Sequence, residues 1–191
     1  MIYVIRHGQT VLNRAHALQG RSDHPLNEVG AMQAREVGAH LADRGVVFSH
    51  VFSSPLQRAV QTAQLVAPDV PVTVDERLIE MDYGPYEGAD LKVLSPELAY
   101  FFSDFVHHPA PLGMEQLSEV VARTGAFIGQ VKQLSGDILI STHAIAMKGI
   151  LEYLTPESRG AYWSTYVGNC AVYVASVEDG RIGVPVELTF E

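Results

Sequence analysis

The sequence predicts an α/β protein: a three-layer α/β/α sandwich around a mainly parallel central sheet. Three observations carry that reading. Apolar, β-branched runs alternate along the chain with segments of helical periodicity, the pattern of a parallel sheet with helices on both faces. Ile2-Tyr3-Val4-Ile5 and Asp137-Ile138-Leu139-Ile140-Ser141-Thr142 read as buried strands. No low-complexity linker, internal repeat or long charge run interrupts the 191 residues. One domain over 1–191 is therefore expected, a length that buries roughly 70% of the unfolded surface.

The elements follow in order. After the first strand and a polar loop, Asn27 can cap a helix from Glu28 to Arg44, with Val29, Met32, Val37 and Leu41 near one face and Gly45 as the stop. Val46 to Phe52 reads as a strand that ends at Ser53-Ser54-Pro55. Ser54 suits an N-cap and Pro55 a first helical residue, and the helix they open would bury Leu56, Val60, Ala63 and Val66. Val70 to Val74 is a short strand, followed by a Gly-, Pro- and Tyr-rich loop from Met81 to Asp90. Helical spacing returns at Glu97–Phe105 (Leu98, Phe101, Phe102, Phe105) and at Glu115–Leu134 (Leu117, Val120, Val121, Thr124, Ile128, Val131). The strand at 137–142 leads into a helix carrying Met147, Ile150, Leu151 and Leu154, ended by Thr155-Pro156. Strands near Cys170–Val177 and Val184–Phe190 close the chain.

Composition limits the function. With 47% hydrophobic residues, 18% charged and a mean hydropathy of +0.09, the chain has ordinary globular composition. Its net charge of −9 argues against a nucleic-acid or anionic-membrane partner. It still allows an anionic small substrate, met by a local cluster of Arg and His. Cys170 is the only cysteine, so neither an internal disulfide nor a Cys-based zinc site is expected. It falls in an expected core strand, as an inert thiol. The first strand starts at Ile2, with no apolar stretch of membrane-spanning length. A soluble cytoplasmic protein is the expectation.

The chemistry concentrates at strand ends. Arg6-His7-Gly8 follows the first strand, and His143 ends the strand at 137–142. A guanidinium fork and an imidazole nitrogen are the groups an oxyanion site needs. Alone, Arg-His-Gly reads more readily as a surface Arg beside a hydrogen-bonded His; the second strand-end His favours a site. Ligands of open α/β sheets bind outside the carboxyl ends of strands, where Arg6, His7, Ser53, Ser54 and His143 all fall. Arg58 lies in the first turn of the next helix, whose N-terminus favours a phosphate.

These segments carry a resemblance. Arg6-His7-Gly8-Gln9-Thr10-Val11-Leu12-Asn13, Leu18-Gln19-Gly20 with Asp23, Pro25 and Leu26, Gly30 with Gln33-Ala34, Ser53-Ser54-Pro55-Leu56-Gln57-Arg58-Ala59-Val60-Gln61-Thr62-Ala63, Leu78-Ile79-Glu80 with Tyr83-Gly84 and Glu87-Gly88, and Thr142-His143 occur in order. Together they resemble the histidine phosphatase superfamily, also called the phosphoglycerate-mutase-like family, from residue 1 to beyond 150. The resemblance implies a catalytic set of His7, Glu80, Arg6, Arg58 and His143. His7 would be the nucleophile that forms a phosphohistidine, with Arg6, Arg58 and His143 holding the non-bridging oxygens. Asn13 and the Gln19-Gly20 backbone would complete the substrate pocket. Glu80 would protonate the leaving alkoxide and then activate water, with Asp82 as the nearest rival. No metal or other cofactor is expected. His107-His108 could face the pocket.

Two departures stand out. Ala144 follows His143 where the family commonly has Gly, a strain if that backbone takes positive φ. Pro111-Leu112-Gly113-Met114-Glu115-Gln116 matches the family's Gly-Glu-Ser loop only partly. Between Gly84 and Glu115 the one cation is Lys92, whereas a phosphoglycerate mutase needs cations for a carboxylate. The preferred expectation is a phosphatase acting on a small phosphomonoester. A phosphoglycerate-type mutase and a non-catalytic phosphate- or phosphoprotein-binding module are the alternatives.

Overall fold

The computed structural model describes residues 1–190. Its strands are β1 (Ile2–Arg6), β2 (Phe48–Ser53), β3 (Val72–Val74), β4 (Asp137–Thr142), β5 (Val172–Ala175), a small hairpin of β6 (Val177–Glu178) and β7 (Arg181–Ile182), and β8 (Val186–Leu188). Helices are α1 (Val11–Ala15), α2 (Glu28–Asp43), α3 (Gln57–Val66), α4 (Pro96–Ser103), α5 (Leu117–Val131) and α6 (Ala144–Leu154). The main sheet runs β3-β2-β4-β1-β5-β8. Its first four strands are parallel, and β5 and β8 add an antiparallel edge.

Both faces of the sheet are covered, and the side-chain period of two sorts each strand between them. Ile2 and Val4 of β1 join Ile138 and Ile140 of β4 against Phe127, Met147 and Leu151 from α5 and α6. Tyr3, Ile5 and Leu139 point the other way, against Val37 and Leu41 of α2 and Ala63 and Val66 of α3. Truncating one of these isoleucines to Ala would cost roughly 2–5 kcal/mol, because neither face can collapse into the gap. A third apolar cluster, including Leu18, Met81, Tyr83, Leu98, Phe101, Ile145 and Trp163, sits apart from the sheet.

The parallel register aligns the strand ends. Arg6 pairs with Thr142, His7 N–H donates to the Thr142 carbonyl at 2.9 Å, and Ser54 N–H donates to the Ser141 carbonyl at 3.0 Å. His7, His143 and Ser54 therefore leave the sheet side by side.

Several element boundaries differ from the sequence reading. In α2, Val29 and Met32 are exposed at 42% and 51%; the buried face is Gly30, Ala34, Val37 and Leu41. Small residues lead that face because Gly30 packs on the Gln9 backbone, where a Cβ would clash. α3 begins at Gln57 with Leu56 as N-cap, not at Pro55, although Ser54 Oγ still accepts from the Leu56 N–H at 3.3 Å. β2 and α5 each start two residues later than expected, at Phe48 and Leu117. β3 and β8 are shortened next to Pro71 and Pro185, which lack the donor a ladder requires. Cys170 lies outside β5, at φ +58°, although it is buried and burial pushes its thiol up to about 12. The hairpin of β6 and β7 falls between the two closing strands, where beyond Val177 no element is expected from the sequence.

Candidate active site

His7 is buried in the turn after β1. Its Nδ1 lies 2.7 Å from the Gly8 carbonyl oxygen, which can only accept, so Nδ1 carries the proton and Nε2 the lone pair. Arg58 Nε donates to that Nε2 at 3.3 Å. Burial, then the charges of Arg6 and Arg58, hold the His7 pKa well below the usual imidazole range. His7 is thus a neutral imidazole with a basic nitrogen in a cationic surrounding.

His143 stands beside it, ring centroids 5.1 Å apart, at the N-cap of α6. Its pKa is likewise held far down, by burial first and then by Arg58. Ser54 Oγ accepts from Leu56 N–H at 3.3 Å; its own proton is free for His143 Nε2, 2.7 Å away. That assigns the remaining proton to His143 Nδ1.

The two guanidiniums are held from outside the cluster. Arg6 Nη1 donates to the Val167 carbonyl at 2.6 Å. Arg58, fully buried, gives Nη1 to Ser22 O at 2.8 Å and Nη2 to Gly20 O at 2.6 Å. Those bonds and the one to His7 engage three of the five N–H groups a guanidinium carries. Burial lowers the Arg58 pKa to about 10, still cationic at neutral pH.

Thr10 orients two amides. Its hydroxyl accepts from Asn13 N–H at 3.2 Å and donates to Gln19 Oε1 at 2.7 Å. Asn13 Oδ1 accepts from Thr10 N–H at 3.1 Å and from Asn169 Nδ2 at 3.2 Å. Both side-chain oxygens are therefore spoken for, and both NH₂ groups remain as donors.

Glu80 is buried with its carboxylate on the N-terminus of α6. Oε1 accepts from Met81 N–H at 2.8 Å and Ala146 N–H at 3.0 Å, and Oε2 from Ile145 N–H at 3.1 Å. The positive end of the helix and its unpaired N–H groups suit a carboxylate there. Asp82 instead pairs with Arg21 at 3.2 Å and accepts from Gly84 N–H, half exposed.

A cavity of about 320 Å³ opens over these groups, lined at one end by Arg6, His7, Asn13, Gln19 and Glu80. Among the described residues four buried side-chain polar atoms have no hydrogen-bond partner; three of them, Arg6 Nε, Gln19 Nε2 and His143 Nδ1, belong to this cluster. Leaving such groups unmet costs ~1–3 kcal/mol each, so their concentration at one spot points to an anionic ligand with several oxygens. No group of three or more His, Cys, Asp or Glu side chains among the described residues is arranged to hold a metal ion.

A family model for the histidine phosphatase superfamily (branch 1) matches residues 2–186. This chain belongs to that superfamily. The probable phosphoglycerate mutase GpmB of Yersinia pestis is 31% identical over 180 residues, covering 90% of this chain and 82% of the relative. Among solved structures, YhfR of Bacillus stearothermophilus superposes with a TM-score of 0.84 at 29% identity, over 96% of this chain and 94% of that one. A phosphoserine phosphatase mutant of Entamoeba histolytica in complex with phosphoserine gives 0.81 at 27% identity, over 99% and 95%.

Within this histidine phosphatase fold, most residues named from the sequence converge: His7, His143, Arg6, Arg58, Asn13, Gln19 and Glu80 surround or abut one cavity. Gly20 does not offer its backbone to a substrate. Its N–H is taken by Glu87 Oε1 and Oε2, at 2.9 and 3.1 Å, and its carbonyl by Arg58. A Cβ there would fall 2.6 Å from Glu87, so glycine serves loop packing. The N-terminus of α3 is also occupied: Gln57 N–H donates to Asp23 Oδ1 at 2.7 Å. His107 and His108 lie off the cavity, His107 against Asp104 and His108 stacked on Tyr100. Ala144 is not among the positive-φ residues, so the expected strain is absent. Sequence reasoning missed the roles of Thr10, Ser54 and Asn169. The first two stood inside quoted motifs; Asn169 had no local signal, being 156 positions from Asn13.

No helix among the described residues is long and apolar enough to cross a membrane.

Proposed function

We propose that this protein hydrolyses a small phosphomonoester through a phosphohistidine on His7 Nε2. One observation carries the reading: the Gly8 carbonyl fixes the proton on His7 Nδ1, so a neutral imidazole presents an unprotonated nitrogen among cationic and N–H donors. Nε2 attacks phosphorus as the bond to the leaving oxygen breaks. Arg6, Arg58, His143 Nδ1 and the amides of Asn13 and Gln19 meet the charge on the non-bridging oxygens. Glu80 delivers a proton to the departing alkoxide; Oε2, with a single N–H donor, has the capacity to carry it. The same carboxylate then takes a proton from the water that cleaves the N–P bond, releasing phosphate and regenerating His7.

A phosphoglycerate mutase is the second reading, favoured by the description of the Yersinia relative. Against it, Arg6 is the one Lys or Arg lining the cavity, and a phosphoglycerate carboxylate needs a cation of its own. The test uses labelled phosphomonoester in the presence of a chelator. The phosphatase reading expects hydrolysis without a bisphosphate primer and an acid-labile, base-stable adduct on His7. It expects His7→Ala to lose both, with turnover down by on the order of 10⁴–10⁶-fold. Turnover by His7→Ala would sink the covalent mechanism; isomerisation of 3-phosphoglycerate faster than its hydrolysis would favour the mutase.

A further inference from the structure

The cavity has a second half that the chemistry above does not use. Beyond the phosphate groups its wall is mainly apolar, Ala17, Leu18, Leu91, Phe102, Phe105 and Ile145, with Tyr83 the one side chain there that carries a polar tip.

Three cations near the cavity are already committed, while Lys92, next to Leu91, is exposed to solvent. Lys148 is buried, its Nζ donates to the Trp163 carbonyl at 2.8 Å, and the Phe105 ring lies across it, 5.6 Å from Nζ to the centroid. Arg21 pairs with Asp82 and Glu115 at 3.2 and 3.4 Å. Arg123 pairs with Glu115 at 2.7 Å and donates to the Arg77 and Ile79 carbonyls. A carboxylate on the leaving group would be desolvated against Leu and Phe side chains, which is costly. An apolar chain or ring would instead cover surface that water now wets. The volume of about 320 Å³ is at the small end of ligand cavities, roughly 300–1,000 Å³, and fits one ring or a short chain.

We propose that the preferred substrates are phosphomonoesters of uncharged, apolar alcohols, a short or branched alkyl chain or a single aryl ring, and that carboxylate-bearing phosphates are poor substrates. This inference rests on the phosphatase reading and specifies its leaving group.

The experiment compares kcat/KM for hexyl phosphate, glycerol 3-phosphate, phosphoserine and 3-phosphoglycerate, with p-nitrophenyl phosphate as the check on turnover itself. Hexanol is the most weakly acidic of these alcohols, so its alkoxide is the poorest leaving group. A preference for it therefore reports the wall and not the chemistry. Hexyl phosphate should exceed phosphoserine and 3-phosphoglycerate by about 10–200-fold, the range an apolar pocket discriminates. Leu91→Lys, at a half-exposed site that tolerates a charged side chain, should lower the hexyl-to-phosphoserine ratio at least about tenfold. Turnover of p-nitrophenyl phosphate with equal or reversed preference between hexyl phosphate and phosphoserine would overturn this inference alone. No turnover of any ester would overturn the phosphatase reading and this inference with it.

Discussion

At the strand ends almost every polar side chain is oriented by a second protein group, whereas a few ångströms away the cavity wall is held by packing alone. His7 has Gly8 O, His143 has Ser54, Arg58 has Gly20 O and Ser22 O, and Asn13 and Gln19 share Thr10. The apolar wall has contacts among Phe101, Phe102 and Phe105, with ring centroids 4.9 to 5.6 Å apart. Directional bonds fix atoms to within tenths of an ångström, as in-line attack on phosphorus demands. Dispersion between rings fixes shape and volume but no single atom. The reaction thus belongs to the rigid half, and the choice of leaving group to the half that substitutions can reshape.

The sharpest way to break that division is at Glu80, which faces both halves. An alkoxide must be protonated as it leaves, whereas p-nitrophenolate leaves unassisted. Glu80→Gln should slow alkyl phosphates by something like 10²–10⁴-fold and aryl phosphates by less. Asp82→Asn should be mild on both, because Asp82 lies outside the cavity and pairs with Arg21. Equal losses on both leaving groups for Glu80→Gln, or an alkyl-selective loss for Asp82→Asn, would move the acid elsewhere.

Protonation sharpens the contrast next. His7 and His143 are both pushed well below the usual imidazole value by burial and the guanidinium charges. In the unfolded chain each imidazole takes a proton near pH 6.5, while in the folded protein each stays neutral to well below that. Between those values the unfolded state binds more protons, so stability must fall as pH drops below about 6.5. Ring ¹⁵N shifts of the two histidines should report neutral imidazoles at pH 6, and His143→Gln should flatten the acid slope of Tm. A ring titrating at or above pH 6.5 would show a site open to water and undo the account of the nucleophile.

Thr10 tests the rigid half without touching the reacting atoms. Thr10→Val keeps the shape and the N–H that holds Asn13 Oδ1 but removes the hydroxyl, leaving a buried Gln19 Oε1 and the Asn13 N–H unmet. A cost of ~1–3 kcal/mol, about 5–150-fold, should fall mainly on kcat/KM. Phosphate or vanadate should bind more weakly by a similar factor, and Thr10→Ser should recover most of both. Loss of stability with unchanged phosphate affinity would reduce Thr10 to a helix cap.

How much of this was legible in the sequence divides along the same line. Strand-end placement of His7 and His143 followed from two apolar runs and the rule that parallel sheets bind ligands at carboxyl ends. β4 was read to the residue, Asp137 to Thr142. What failed were local rules overridden by distant partners. Ser54 reads as a helix cap and does accept from Leu56 N–H, yet its proton serves His143, 89 positions away, and α3 starts later with Asp23 on its first N–H. Gly20 reads as a substrate-binding backbone, yet Glu87, 67 positions away, takes its N–H. Val29 and Met32 fit a helical stripe, but the close approach of Gly30 to Gln9 turns α2 so that they face solvent. Periodicity reports an apolar face; it does not report which neighbour comes nearest.

Ala144 offers the smallest effect and a clear sign. It lines the cavity between the two halves and is the first residue of α6. Were its backbone held at positive φ, glycine would relieve strain and Ala144→Gly would raise Tm. It is not so held, and the N-cap His143 sits at φ −127° and ψ 177°, an extended conformation open to any residue. Glycine would then only add freedom to the unfolded chain, a loss of ~0.5–1 kcal/mol in a helix interior and less at the first position. Tm should fall by about 1–4 °C for a domain of this size. A rise in Tm would mean that the turn after β4 is strained after all, and that the rigid half stores energy at the residue next to His143.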